Sequence, residues 1–219
     1  MNKGLFVTFE GGEGAGKSTL VRRLQEALQR ESREVVVTRE PGGTALSEDV
    51  RTLVLHRKGD MHPRSELFLF LAARIQHLEE LIKPAIKRGA VVLCDRFSDS
   101  SVAYQGEARG LGMEYVSSCC TLATGGMQPD ITFYIDLDPH IGLMRMHKRQ
   151  ASTNQEPDRL ENETLIFHEK VRCGFQKIAK AYPTRVKTLD GNLSPEELFI
   201  AAFSHIKHFL ATYTYDVQI

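Results

Sequence analysis

Apolar residues along this chain switch repeatedly between short continuous runs and helical spacing. Residues 5–9, Leu-Phe-Val-Thr-Phe, form a short run that predicts a buried strand, and Leu20, Val21, Leu24, Ala27 and Leu28 then recur on one helical face. The β-branched run at 34–38 predicts a second strand and residues 46–55 a short amphipathic helix. Leu67, Phe68, Leu71, Ile75, Leu78 and Leu81 predict a long helix opened by Pro63; Pro84 should kink it near its end. Gly89 closes that helix before a third strand at 90–94. A polar segment of small residues at 97–106 reads as a short helix, followed by a helix around 115–123 and a fourth strand at 131–135. Asp138 and Pro139 suit the cap and first position of the next helix, which ends in Arg145, His147, Lys148 and Arg149. Residues 150–157 carry no periodicity and read as a mobile loop, after which Asp158 and Arg159 restart a helix through Leu165, Phe167 and Phe175. A fifth strand at 185–189 precedes a capping box, Ser194 to Glu197, and a last helix with Leu198, Ala201, Ala202, Ile206 and Phe209 on its apolar face. Residues 212–219 show no pattern and predict a loosely ordered tail.

Strands alternating with helices predict an α/β fold: a five-stranded, mostly parallel sheet with helices on both faces. The 219 residues fit one domain, with no repeat and no internal linker.

The first strand runs into Gly11-Gly12-Glu13-Gly14-Ala15-Gly16-Lys17-Ser18-Thr19, and a helix follows at once. Gly11, Gly16, Lys17 and Ser18 match the spacing G-x-x-x-x-G-K-[ST] in the strand–loop–helix context of a phosphate-binding P-loop. Glycines let backbone N–H groups approach an anion, and the N-terminus of the following helix favours phosphate. Lys17 would reach the outer phosphates and the Ser18 hydroxyl would hold magnesium. The third strand ends in Asp95-Arg96. An apolar strand ending in Asp completes a magnesium site beside a P-loop, and a fixed guanidinium there suits a second phosphate group.

Charge narrows the partners. Twenty-eight basic residues balance 28 acidic ones, so no global field draws nucleic acid or membrane, and any basic site is local. The apolar runs are too short to span a bilayer and no signal peptide opens the chain, which predicts a cytoplasmic protein. Cys94, Cys119, Cys120 and Cys173 lack metal-site spacing and read as buried free thiols. His205 and His208, three apart on the last helix, have no third ligand nearby and read as partly solvated helix residues.

The middle of the chain adds a second polar wall. Phe70 and Arg74 stand one turn apart on a helix, and Arg96, Ser101 and Tyr104 follow. A ring beside a guanidinium suits stacking on a base and binding its carbonyl or phosphate. A guanine-specificity stretch of the N-K-x-D kind is absent from the sequence, which disfavours a GTPase switch. Transfer of a phosphoryl group between two bound nucleotides needs positioning and charge stabilisation, which Lys, Arg, Asp and magnesium supply without a catalytic His or Cys.

These residues also carry a resemblance. The glycine loop, Thr38-Arg39-Glu40-Pro41-Gly42-Gly43-Thr44, Phe70-Leu71-Ala72-Ala73-Arg74, Asp95-Arg96-Phe97, Ser101-Val102-Ala103-Tyr104-Gln105-Gly106 and Asp158-Arg159-Leu160-Glu161 together resemble bacterial thymidylate kinases over nearly the whole chain. The resemblance implies a P-loop fold of the nucleoside monophosphate kinase kind and magnesium-dependent transfer of the ATP γ-phosphoryl group to dTMP. It also implies that Phe70 stacks on thymine, Arg74 bonds the base, Arg96 holds the dTMP phosphate and Glu13 lies near the sugar 3′-hydroxyl. Tyr104 would crowd the 2′ position, with Ser101, Gln105 and Arg51 in the same pocket. A lid at about 148–160 would bring Arg149 to the transferring phosphoryl group with help from Arg159, while Arg145 and Lys148 remain alternatives for the lid cation. The family is commonly homodimeric.

Overall fold

A computed structural model describes residues 4–153 and 157–215. Its sheet has the order β2-β3-β1-β4-β5, and every pairing is parallel. The central strand β1 (Leu5–Glu10) is buried at all six positions, because helices cover both faces of a parallel sheet. Its neighbours are β3 (Val91–Asp95) and β4 (Ile131–Asp136), with β2 (Val35–Arg39) and β5 (Val186–Asp190) at the edges. The chain crosses from one side of β1 to the other between β3 and β4, so the carboxyl ends of these three strands open a crevice.

Period-two alternation along β1 divides the core. Leu5, Val7 and Phe9 pack against Leu20, Leu24 and Leu28 of α1 (Lys17–Arg30), while Phe6 joins Val92, Cys94 and Phe97 on the opposite face. Burying side chains of this size contributes roughly 2–3 kcal/mol each. The expected elements are present with shifted ends: α2 (Ala45–His56), α3 (Pro63–His77), α4 (Lys83–Lys87), α5 (Ser98–Ser101) and α6 (Met113–Thr124).

Several expectations need correction. The kink expected near the end of the long helix takes the form of a π-helical turn, Leu78–Ile82, joining α3 to α4. A proline ring clashes with the carbonyl four residues back, that of Glu80, and the widened turn lies there. The segment expected as a short helix at 97–106 is the single turn α5 followed by a π-helical stretch, Val102–Ala108.

Helix α7 (Pro139–Thr153) continues past Arg149, so the expected loop begins later than 150; residues 154–156 lie outside the described residues. Its start matches expectation, with the Asp138 carboxylate accepting the His140 N–H at 2.9 Å. Asp158 does not restart a helix. Its carboxylate accepts the N–H groups of Leu160 and Glu161 at 2.8 and 2.9 Å and closes a turn at 158–163. Helix α8 (Leu165–Ala181) begins only after Thr164, whose side chain caps the Phe167 N–H.

The capping box is formed: Glu197 accepts from Ser194 N–H at 2.9 Å, and Ser194 Oγ accepts from Glu197 N–H at 3.3 Å. Helix α9 (Pro195–Tyr215) runs into the stretch expected as a loose tail, and residues 216–219 lie outside the described residues. Of the four free cysteines only Cys94 and Cys120 are buried; Cys119 is half-buried and Cys173 exposed. Among the described residues no helix is long and apolar enough to cross a membrane.

Candidate active site

The end of β1 and the start of α1 are joined by a loop in which two glycines, Gly11 and Gly14, have no room for side chains. A Cβ on Gly11, at φ +141°, would stand 2.6 Å from the Ile135 carbonyl oxygen. On Gly14, at φ +64°, it would stand 2.1 Å from that of Gly142 in α7. Nor can Gly142 take one, since its Cβ would meet the Glu13 carbonyl oxygen at 2.2 Å. The loop and α7 therefore touch backbone to backbone.

Lys17 curls back over the loop, donating from Nζ to the carbonyls of Gly11 at 3.1 Å and Gly12 at 2.9 Å. Burial, followed by the Arg96 charge, pushes its pKa down. An anion beside it would relieve both costs. Ser18 Oγ donates to Asp95 Oδ2 at 3.0 Å, so the hydroxyl and the strand-end carboxylate meet as expected.

Arg96 follows β3 in a left-handed conformation, φ +72°, which costs a non-glycine residue about 1 kcal/mol or more. Its guanidinium donates to Gly11 O at 3.1 Å, Ser100 Oγ at 3.4 Å and Glu13 Oε1 at 2.5 Å, and lies 5.0 Å over the Tyr104 ring. Burial opposes its charge, but Tyr104, Glu13 and Asp95 more than compensate and raise its pKa. Glu13 also accepts the Tyr104 hydroxyl at 3.0 Å. Burial works against the Glu13 carboxylate, yet Arg96 and then Lys17 hold its pKa down to about 2.

Behind this turn sits Glu10, fully buried, which composition alone assigned no role. Its Oε1 accepts the Phe97 N–H at 2.8 Å and its Oε2 the Ser100 hydroxyl at 2.5 Å. Burial, reinforced by Asp99, raises its pKa to about 8.

The facing wall comes from α3, α5 and the π-helical stretch. Arg74 is 2% exposed and tightly held: Nε donates to Glu40 Oε2 at 2.6 Å, and Nη2 donates to Phe97 O at 3.1 Å and Ser101 Oγ at 3.0 Å. Glu40 in turn contacts buried His77, Nδ1 to Oε1 at 3.1 Å, and His77 Nε2 meets Thr38 Oγ1 at 2.7 Å. Arg51 donates to Pro41 O at 2.9 Å.

Both halves open into one cavity of about 410 Å³. Glu13, Gly14, Ala15, Gly16, Lys17, Ser18 and Thr19 line it on one side. Arg51, Phe70, Arg74, Asp95, Arg96, Ser101, Tyr104 and Gln105 line the other, and Arg149 reaches it from α7. Gly11 and Gly12 contribute through the carbonyls that hold Lys17. Arg159 is the exception. Its guanidinium lies outside the cavity, donating to Val54 O at 3.0 Å and to fully buried Glu66. Arg39 and Glu40, the charged pair before Pro41 that reads as a substrate wall in the sequence, also line the cavity, whereas Asp158 and Glu161 were missed as cavity residues. The acidic residues of the D-R-L-E stretch were the available signal. Arg149 approaches Glu161 Oε1 at 3.8 Å.

Oxygen donors at Ser18 and Asp95 suit a hard cation such as magnesium. Among the described residues no group of three or more His, Cys, Asp or Glu could hold a metal.

The chain is similar to known proteins over nearly its whole length. A family model described as thymidylate kinase matches residues 9–200. The chain is 47% identical over 211 residues to a thymidylate kinase of Shouchella clausii, covering 96% of this chain and 98% of the relative. It is 48% identical over 192 residues to one of Gloeobacter violaceus, covering 88% and 89% respectively. The crystal structure of a thymidylate kinase from Ehrlichia chaffeensis superposes with a TM-score of 0.74 at 32% identity, over 93% of this chain and 99% of that one. With a P-loop facing an arginine-lined pocket and relatives matched over nearly its whole length, the chain belongs to the thymidylate kinase family.

Proposed function

We infer that this chain transfers the γ-phosphoryl group of ATP to dTMP, releasing dTDP and ADP. The observation that carries the reading is the single cavity shared by the glycine loop and the arginine-lined wall. A phosphate oxygen of dTMP attacks the γ-phosphorus, and the bond to the bridging oxygen of ADP breaks. The protein need not react covalently; it must align two anions and offset their charge.

Loop N–H groups and Lys17 hold the ATP phosphates, and Arg96 grips the acceptor phosphate from a backbone that fixes its direction. Arg149, at the lid end of the site, meets charge that develops on the transferring group. Ser18 and Asp95 would hold magnesium, which when bound neutralises phosphate charge. On the acceptor side Phe70 stacks on the base and Arg74 donates to it. Glu13, anionic at any physiological pH, accepts the sugar 3′-hydroxyl, and Tyr104 fills the space a 2′-hydroxyl would need. Arg51 and Ser101 complete the pocket. Arg159 acts from outside it by fastening the 158–163 turn, and the stretch from about 148 to 160 closes as the lid. A homodimer fits the apolar side chains left exposed on neighbouring helices, Leu53 of α2, Phe68 and Ile75 of α3, and Leu122 of α6. Light scattering of the purified protein tests that assembly.

A coupled assay of ADP release with ATP, magnesium and a panel of monophosphates tests the reaction. Release should depend on dTMP. Equal release with and without dTMP overturns the kinase reading, and preference for UMP or AMP overturns the acceptor.

A further inference from the structure

Glu66 has no exposed surface, yet its carboxylate gathers donors from three residues on two segments, the π-helical stretch with its end and the 158–163 turn. Its Oε1 accepts Gln105 Nε2 at 2.7 Å and Arg109 Nε at 3.4 Å, and its Oε2 accepts Arg109 Nη2 at 3.4 Å and the Arg159 guanidinium. A buried ion cluster adds little stability over an apolar one, so what this one supplies is geometry. A carboxylate ringed by guanidinium donors only accepts, so the Gln105 amide must turn its NH₂ end to Glu66. Its carbonyl end is then left for the other side. Gln105 is 1% exposed and lines the cavity, and its Oε1 takes no hydrogen bond among the described residues.

We propose that Glu66 is a positioning residue that determines base specificity, by locking Gln105 with its carbonyl oxygen towards the acceptor base. Thymine offers one ring donor, N3–H, between two carbonyl acceptors. A fixed acceptor on the wall can meet thymine favourably only at N3–H, while the donor-only guanidinium of Arg74 suits a carbonyl. Cytosine presents a bare lone pair at N3, and two acceptors would then face each other. Uracil matches thymine at this edge, so the lock excludes cytosine and leaves dUMP to other contacts.

The inference rests on the acceptor reading above. Its test compares dTMP, dUMP and dCMP as acceptors for the wild type and for Glu66→Gln, whose amide accepts either orientation of Gln105. The ratio of kcat/KM for dTMP over dCMP should fall at least about tenfold, mainly through KM, because an unpaired polar edge is what rejects the wrong ligand. The dTMP-to-dUMP ratio should hold within about twofold. An unchanged dTMP-to-dCMP ratio overturns the proposal, and so does a parallel fall in both ratios, which marks general loss of the pocket. Should Glu66→Gln not fold, Glu66→Asp keeps the charge for both arginines but draws it back from Gln105, and the same ratios decide. A wild type that releases no ADP with dTMP fails the acceptor reading instead, whereas a selective wild type with an equally selective variant fails only this proposal.

Discussion

Glu10 and Glu13 stand three residues apart on one stretch of backbone and both feel Arg96, yet their carboxyls are displaced in opposite directions. Glu10, at the strand end, rises to about 8; Glu13, in the loop, falls to about 2. The strand end is sealed, so burial dominates, and the charge that adds most to it, Asp99, has the same sign and outweighs Arg96. In the loop burial is opposed by the Arg96 guanidinium at 2.5 Å and by Lys17 beyond it. One chemical group thus serves two purposes. Glu10 braces the turn that aims Arg96, and Glu13 gives Arg96 a counter-charge within reach of ligand.

Arg96→Ala removes the element common to both and should have the largest effect. We expect kcat/KM for dTMP to fall by about a thousandfold, with binding of an ATP analogue little altered; steady-state kinetics and calorimetry measure the two.

Replacing Glu10 by Gln tests the sealed end through pH. Its pKa is raised from 4.5 to about 8, so between those values the folded state binds more protons than the unfolded one. Its contribution to stability is full below 4.5 and is lost as pH rises through about 8. Wild-type stability should therefore decline relative to Glu10→Gln by up to about 1.4 kcal/mol per pH unit across that window. Denaturant titrations at about pH 5, 6.5 and 8 measure it, and parallel curves would remove the contrast. Glu13 has the opposite sign: its contribution is present above 4.5 and is lost only as pH falls through about 2. Glu13→Gln should raise the KM for dTMP about tenfold without changing the stability difference between about pH 6 and 8.

The smallest effect belongs to the hydroxyl that joins the two regions. Ser100 Oγ donates to Glu10 and accepts from Arg96. Ser100→Ala should cost about 1 kcal/mol of stability, read by thermal unfolding, and lower kcat by only a few-fold.

The five strands, the glycine loop and the Asp95–Arg96 edge were legible in the sequence because each has a local signature: an apolar run, a fixed spacing, a strand end. The π-helical stretches were not, since Leu78 and Ile82 or Val102 and Gly106 keep an apolar or small-residue spacing that a helix of either kind satisfies. Arg159 was misjudged for another reason. Its motif marks it as important but cannot say which way the side chain turns, and a buried Glu66 on a distant helix decides that. Glu10 and Glu66 escaped notice because composition places carboxylates in solvent unless paired, and their partners, Phe97, Ser100, Gln105, Arg109 and Arg159, are remote in the chain.

The bare contact between Gly14 and Gly142 makes α7 a lever resting on a fulcrum without padding. Arg149 lies seven residues beyond Gly142 along the helix, an arm of roughly 10 Å at the α-helical rise. A tilt of about 10° at the fulcrum would swing the start of that side chain by roughly 2 Å, against tolerances of about 1 Å for aligned phosphoryl transfer. Buried Met146 and the Arg145 hydrogen bond to the Gly191 carbonyl at 3.1 Å hold the arm in place between the two ends. On the proposed reading the glycine loop would then set the position of the lid cation as well as of the phosphates, since both it and Arg149 line the one cavity.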